Sequence, residues 1–298
     1  MNAFQPDSNT SRKKYTIHAG THILSLGTRT HLMGIVNMTP DSFSGDGCLA
    51  VGGDMLRKAE NRARRFIREG ADIIDVGGES SRPGARKISA REEINRVVPL
   101  IKELARRVNV PVSVDTYKPL VARHALDAGA SIVNNIMGAK PDQELLRMVR
   151  RYDAAIVLMH MRGTPLTMQK EIHYRDVVGD ITAALEKSIE KCLETGIKSD
   201  KIIIDPGIGF GKTVDHNLEI IRRLRCFEAL DRPILIGTSR KSFIRKVLQA
   251  NEAGCLEGSL ATVAASILNG AHIVRVHDVH PTKQVIAMTD AIVDSCGR

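Results

Sequence analysis

Nearly every short apolar run in this sequence ends in a residue able to do chemistry. Asn37, Asp75, Asp115, Asn134, His160, Asp205, Ser239, Arg275 and His277 close or follow β-branched runs such as "IIIDPG" (202–207) and "IVRVHD" (273–278). Helix N-caps recruit Asp and Asn to such positions, but capping does not call for His160, Arg275 or His277. Two kinds of group are present. Asp115, Asn134 and Asp205 are acceptors and amides suited to the ring N–H and amino groups of a planar heterocycle. A site that satisfies several such donors rejects analogues lacking them, because its own polar groups would be left unpaired. The other kind binds anions. "GTSRKSFI" (237–244) sets Arg240 and Lys241 before Ser242 at an expected helix N-terminus, where backbone N–H groups and the helix dipole favour negative charge. Arg275 with His277, and Ser81 with Arg82 in the glycine-rich "GGESSRPG" (77–84), add to it. The expected substrate is a flat ring system flanked by phosphate or carboxylate groups.

Such residues need elements that bring them to one place. "EGADIIDV" (69–76), "AGASIVNN" (128–135) and "NGAHIVRV" (269–276) repeat Gly-Ala-polar-Ile-Ile/Val after an amphipathic segment. Glycine supplies the left-handed residue that stops a helix, and the β-branched run starts a strand. Strand candidates are "HLMGIVNM", "ADIIDVG", "VPVSVDT", "SIVNN", "AAIVLMH", "KIIID", "PILIGTS" and "HIVRVHD", with helix-length segments between most of them. One of these segments opens with a capping box, Ser89 with Glu92. Near-continuous apolar strands indicate a parallel sheet covered by helices. Eight such units in one chain predict a TIM (β/α)8 barrel, whose strand ends converge on a single catalytic rim. A doubly wound open sheet is the runner-up, but no G-x-G-x-x-G follows a strand here. "YTIHAGTHILSLGTRT" (15–30) alternates apolar with polar and predicts an N-terminal hairpin covering one barrel end. Residues 1–14 are expected to form a disordered tail and residues 15–298 a single barrel domain.

Composition narrows the class. The chain has 298 residues, 43% of them hydrophobic, enough for a large core. No apolar stretch approaches the roughly 20 residues that span a bilayer, and the basic N-terminus lacks the apolar region of a secretory signal. Cys48, Cys192, Cys226, Cys255 and Cys296 form no C-x-x-C, which argues against a zinc site and suits a reducing cytosol. The net charge of +9 would suit nucleic acid or small anions, but many arginines lie on helix-like stretches such as "LRKAENRARRFIREG" (56–70). There, Met55, Leu56, Ala59, Ala63, Phe66 and Ile67 make the apolar stripe and the arginines a solvated face. With 3% aromatics, the chain has little material for stacking single-stranded bases.

The sequence resembles the bacterial dihydropteroate synthase family. The similar stretches are "MGIVNMTPDSFSGDG" (33–47), "DVGGESSRPGA" (75–85), "VPVSVDTYKP" (110–119), "IVNNI" (132–136), "VLMHMRGTP" (157–165), "IIIDPGIGFGKT" (202–213), "GTSRKSFI" (237–244) and "RVHDV" (275–279). They run in order over almost the whole chain after residue 30. The resemblance implies a TIM barrel, a homodimer and the joining of p-aminobenzoate to 6-hydroxymethyl-dihydropterin pyrophosphate with Mg²⁺ in folate synthesis. It implies pterin contacts from Asp115, Asn134, Asp205 and Lys241, with Met159 packing on the ring. It implies that Asn37, Arg275 and His277 hold the pyrophosphate and its metal, with Asn37 the metal ligand. Phe43, Ser81, Arg82, Pro83 and Ser242 would build the p-aminobenzoate pocket, where sulfonamides would compete. Gly207, Gly209 and Gly211 would leave backbone room near the pterin.

The sequence departs from the family pattern at several places. The family's loop aspartate is displaced to Asp46, Asn135 replaces an aspartate after the fourth barrel strand, and Arg162 and Ile208 replace glutamine and phenylalanine. Two other readings stay open. A pterin-dependent methyltransferase would need the pterin acids but not the anion-binding loops, and a non-catalytic paralogue would bind pterin without turnover.

Overall fold

The computed structural model describes residues 12–39, 52–80, 85–163, 168, 172–251 and 253–295. An antiparallel hairpin comes first, β1 (Tyr15–Ala19) and β2 (His22–Leu26). Eight parallel strands follow: β3 (His31–Asn37), β4 (Ile73–Gly77), β5 (Val112–Asp115), β6 (Ile132–Asn135), β7 (Ala155–Met159), β8 (Ile202–Asp205), β9 (Leu235–Ile236) and β10 (Ile273–Val276). Their order is β8-β7-β6-β5-β4-β3-β10-β9. A parallel bridge from Ile204 to Ile234, with the Ile204 N–H donating to Pro233 O at 3.0 Å, brings the last strand against β8 and closes the barrel. All eight expected strands are present, and the open-sheet alternative falls.

Helices follow the strands: α1 (Gly52–Arg68), α2 (Ala90–Arg107), α3 (Pro119–Asp127), α4 (Gln143–Arg151), α5 (Val177–Glu194), α6 (Val214–Arg222), α7 (Ser242–Leu248), α8 (Leu256–Leu268) and α9 (Val279–Ser295). On α1 the expected stripe is the buried face, with Ala59, Ala63 and Phe66 in the core. Ser89 caps α2, its Oγ accepting the Glu92 N–H at 3.1 Å. The repeated glycines end helices as the sequence predicts: Gly70, Gly129 and Gly270 have φ of +97°, +105° and +96°. Next to each, an alanine N–H reaches back five residues, as Ala71 does to Phe66 O at 2.9 Å.

Strand residues alternate between two cores. Leu32, Val36, Ile74, Val76, Val133, Ile204 and Val274 face the helices. Met33, Ile73, Ile132, Val157, Ile203, Leu235 and Ile273 fill the lumen. Ile17, Ala19, Leu24 and Leu26 of the hairpin pack on that lumen cluster. The hairpin is therefore the plug at the N-terminal end, which leaves the opposite mouth for chemistry.

Residues 12–14, expected as part of a disordered tail, are tied to the barrel. Arg12 is 5% exposed and donates from Nη2 to Asp290 at 2.8 Å and from Nη1 to Thr30 and to Ala271 O. Asp290 also accepts the Thr30 N–H at 2.8 Å. A buried guanidinium held by a carboxylate fixes residues 12–14 to the barrel end, a tie the sequence hides because Ala271 and Asp290 lie 259 and 278 residues away. Residues 1–11 lie outside the described residues.

Candidate active site

The strand register assembles the mouth. Asn37 lies beside Gly77, Gly77 beside Asp115 and Asp115 beside Asn134, on four adjacent strands. Met159 lies beside Asp205 on the far side. All of these share the lumen-facing parity of Met33, Ile73, Ile132 and Val157, so their side chains enter the barrel. A methyl group at Gly77 would sit 3.2 Å from Asn37 Oδ1 and 3.6 Å from Asp115 Cβ. Glycine there leaves both polar side chains room at the rim.

Arg275 reaches across the lumen from β10. Its Nε donates to Asp75 Oδ2 at 2.7 Å and its Nη2 to Asp115 Oδ2 at 2.6 Å. Asp75 is fully buried and also accepts Asn134 Nδ2 at 3.1 Å, while its Oδ1 has no partner among the described residues. Asp75 thus aims Arg275 from one side and Asn134 from the other. Asp75 is one of the strand-end residues of the sequence, and the hydrogen bonds to Arg275 and Asn134 give it this role.

Asp205 is 4% exposed, and its Oδ1 accepts the Gly207 N–H at 2.7 Å. Burial pushes its carboxyl up to about 6, against the pull of that N–H and of Lys241, Arg275 and Lys212. Burial likewise pushes Asp115 up to about 7, assisted by Asp75 and Glu93 and opposed by Arg275. Lys241 falls to about 8, through burial and the repulsion of Arg275. Its Nζ rests 3.9 Å from the centroid of the Phe210 ring. His277 is lowered to about 3 by burial and the surrounding cations, and its Nδ1 lies 3.1 Å from Ser239 Oγ. Three acids, Asp75, Asp115 and Asp205, thus share the mouth with the cations Arg275, Lys241 and Lys212.

An apolar wall of Ile136, Met159, Met161, Met168 and Phe210 stands beside these charges, with Tyr117 and Met137 against it. Asp115 also borders a narrow cleft lined by Glu79, Ser80, Thr116, Tyr117 and Ile136. Lys118 fixes that side by donating to Glu93 Oε2 at 2.6 Å, to Ile88 O at 2.8 Å and to Glu79. Polar donors and acceptors on one wall and thioethers on the other suit a flat, amide-rich ring.

A match to the pterin binding enzymes covers residues 33–277. This chain belongs to the pterin-binding enzyme family. A dihydropteroate synthase from Bacillus subtilis is 43% identical over 281 residues, covering 94% of this chain and 95% of that one. The Yersinia pestis dihydropteroate synthase, solved with a sulfonamide drug complex, superposes with a TM-score of 0.86 at 37% identity, covering 94% of this chain and 99% of that one. A Clostridium difficile dihydropteroate synthase, solved in the presence of pteroic acid, gives 0.82 at 42% identity, covering 90% and 98%.

Of the candidate residues named from the sequence, Asn37, Asp115, Asn134, Met159, Asp205, Lys241, Arg275 and His277 meet at the one mouth. Ser242 is the first residue of α7, at the same rim. Phe43, Asp46, Ser81, Arg82 and Pro83 lie outside the described residues. Several expectations change. Arg240 is occupied: its Nε and Nη2 bind Asp278 at 3.0 and 2.6 Å. Asn135 sits on the helix-facing side, opposite Leu158, and its Oδ1 accepts the Met137 N–H at 2.9 Å. The aspartate it replaces would therefore not face the lumen. Ile208 is a core residue, 1% exposed, so its identity is a packing matter. Arg162 stacks over the Tyr174 ring at 4.9 Å. The glycines of the β8 loop stand close against other parts of the protein. A methyl group at Gly207, where φ is +73°, would overlap the His160 carbonyl oxygen, and one at Gly209 would press on the Lys241 side chain at 3.1 Å.

Proposed function

We infer that this chain catalyses dihydropteroate synthesis, condensing 6-hydroxymethyl-7,8-dihydropterin pyrophosphate with p-aminobenzoate to give 7,8-dihydropteroate and pyrophosphate in folate biosynthesis. The observation that carries this reading is the convergence of Asp115, Asn134, Asp205 and Lys241 with Arg275 at one barrel mouth, in a chain that dihydropteroate synthases match along almost its whole length. Asp115 and Asp205 accept the pterin's ring and amino N–H groups, and Asn134 and Lys241 offer donors to its heteroatoms. Met159 covers a ring face. The cationic side of the mouth takes the diphosphate, with Arg275 and His277 as donors. Phe43, Ser81, Arg82, Pro83 and Ser242 receive p-aminobenzoate.

In the reaction, the bond from the pterin's exocyclic methylene to the diphosphate oxygen breaks and a carbon–nitrogen bond to the aromatic amine forms. The amine loses one proton, and pyrophosphate leaves with the bonding pair. Arg275 stabilises the charge growing on the leaving oxygen. Asp115 and Asp205 stabilise the positive charge shared between methylene and ring. The amine is already nucleophilic, so alignment of the two bound substrates supplies much of the rate.

Among the described residues no group of three or more His, Cys, Asp or Glu could hold a metal. That fits Mg²⁺ all the same, because this ion keeps several waters and binds chiefly through phosphate oxygens. Asn37 Oδ1 at the rim would be its protein ligand, and the ion would supply further neutralisation of the leaving group. Among the described residues no helix is long and apolar enough to cross a membrane. Cys192, Cys226 and Cys255 are free thiols, which supports a reducing cytoplasm. Exposed Met288 and Ile292, one turn apart on α9, offer apolar surface to a homodimer.

The test is pyrophosphate release from the pterin pyrophosphate, assayed with and without p-aminobenzoate. Release that requires p-aminobenzoate and is competitively inhibited by a sulfonamide is expected. Pterin binding without release would make the chain a non-catalytic paralogue, and methyl transfer from a methylated tetrahydropterin would make it a methyltransferase.

A further inference from the structure

Lys212 is 3% exposed, yet among the described residues no carboxylate lies within hydrogen-bonding distance of its ammonium. Its Nζ donates to Gly207 O at 2.8 Å and Phe210 O at 3.0 Å in the β8 loop, and to His160 O at 3.3 Å after β7. The fourth neighbour is His160 Nδ1, at 3.1 Å. An ammonium has no acceptor, so that nitrogen carries the lone pair and the imidazole proton sits on Nε2. His160 is lowered to about 2 by burial and by Lys212 and Arg162, in keeping with a neutral ring. A buried cation without a carboxylate in contact is expensive to keep. Stability alone would favour an apolar side chain in its place.

Both loop carbonyls that Lys212 holds belong to residues that organise the mouth. The Gly207 peptide N–H bonds Asp205 Oδ1 at 2.7 Å, and the Phe210 ring lies under Lys241 Nζ at 3.9 Å. The adjoining backbones are in close contact, since a methyl group at Gly211 would sit 2.7 Å from Arg162 O. We propose that Lys212 is a positioning residue: its ammonium staples the β7 and β8 loops together and thereby sets both Asp205 and Lys241 for the pterin. It touches no substrate itself. Its charge also lies near Asp205 and adds to the pull on that carboxylate, though burial lowers Lys212 itself to about 7.

This proposal rests on the pterin-site reading above, and the test separates the two. Steady-state kinetics are measured for Lys212→Met, which keeps the length and removes the donors, and Lys212→Gln, which keeps two donors. For Lys212→Met, kcat/KM for the pterin pyrophosphate is expected to fall about 100-fold, the scale of a loss from misplacing reacting groups by an ångström. The KM for p-aminobenzoate should stay within about threefold, and Lys212→Gln should recover roughly tenfold of the loss, as one restored hydrogen bond allows. Retention of pterin kcat/KM within threefold by Lys212→Met, or an equal rise in both KM values, overturns the proposal. If Lys212→Met does not melt cooperatively, Lys212→Gln is read by the same criterion. If the wild type itself does not condense the substrates, the functional reading fails. The staple is then judged by calorimetric binding of a free pterin, which must weaken in a folded variant.

Discussion

Replacing Asp205 by asparagine should make the protein more stable and less active, with a pH signature that identifies the cause. Asp205 titrates at an ordinary 3.8 when unfolded and at about 6 in the folded chain, because burial disfavours its charge. Well below pH 3.8 it is neutral in both states and carries no penalty. As pH rises from 4 to 6 the unfolded carboxyl ionises first, so the fold loses stability, and above pH 6 the loss is constant. A rise from 3.8 to about 6 corresponds to roughly 3 kcal/mol at about 1.4 kcal/mol per pH unit. Asparagine keeps an acceptor for the Gly207 N–H and never ionises. Urea unfolding of both proteins between pH 4 and 8 should therefore show Asp205→Asn gaining on the wild type up to pH 6 and holding a lead of as much as about 3 kcal/mol above it. Activity should move the other way. Loss of a charged acceptor for the pterin is expected to lower kcat/KM roughly 100-fold, from about 1.5–3 kcal/mol per charged hydrogen bond. A stability difference that does not change between pH 4 and 8 would refute the reasoning, as would a variant less stable than the wild type at pH 8.

Other perturbations follow from the same geometry. Arg275→Met should lower stability by about 3–5 kcal/mol in chemical denaturation, because it strands the fully buried Asp75. It should also abolish turnover. The pH profile of kcat/KM for the pterin pyrophosphate should be bell-shaped: it rises as Asp205 and Asp115 ionise between about 6 and 7, and declines as Lys212 and Lys241 lose their protons between about 7 and 8. Gly207→Ala should cost more than about 2 kcal/mol in thermal or urea unfolding, since the left-handed backbone and the His160 carbonyl both oppose a side chain.

The barrel was legible because its signals are local. A glycine that ends a helix, an alanine and a β-branched run recur before three strands, and the chemistry stands at the strand ends where a barrel would gather it. Asp115, Asn134, Asp205 and Arg275 could be read that way. What the sequence hid depends on register and on distant partners. Asn134 and Asn135 are adjacent in sequence but face opposite sides of the sheet, and a one-residue slip would exchange them. The grip of Asp75 on Arg275 spans 200 positions. Nor does the spacing of Gly207, Gly209 and Gly211 show that His160 O, the Lys241 side chain and Arg162 O, from other strands and loops, press on them. Arg12 looked like part of a polar tail because Thr30, Ala271 and Asp290 come together only in the closed barrel.

The most direct measurement is a crystal structure of this protein with a pterin and pyrophosphate. The expected result is the bicyclic ring hydrogen-bonded to Asp115, Asn134, Asp205 and Lys241, with Met159 on one face and the pyrophosphate beside Arg275, His277 and Asn37. A pterin bound elsewhere, or a pyrophosphate at a distance from Arg275, would contradict it.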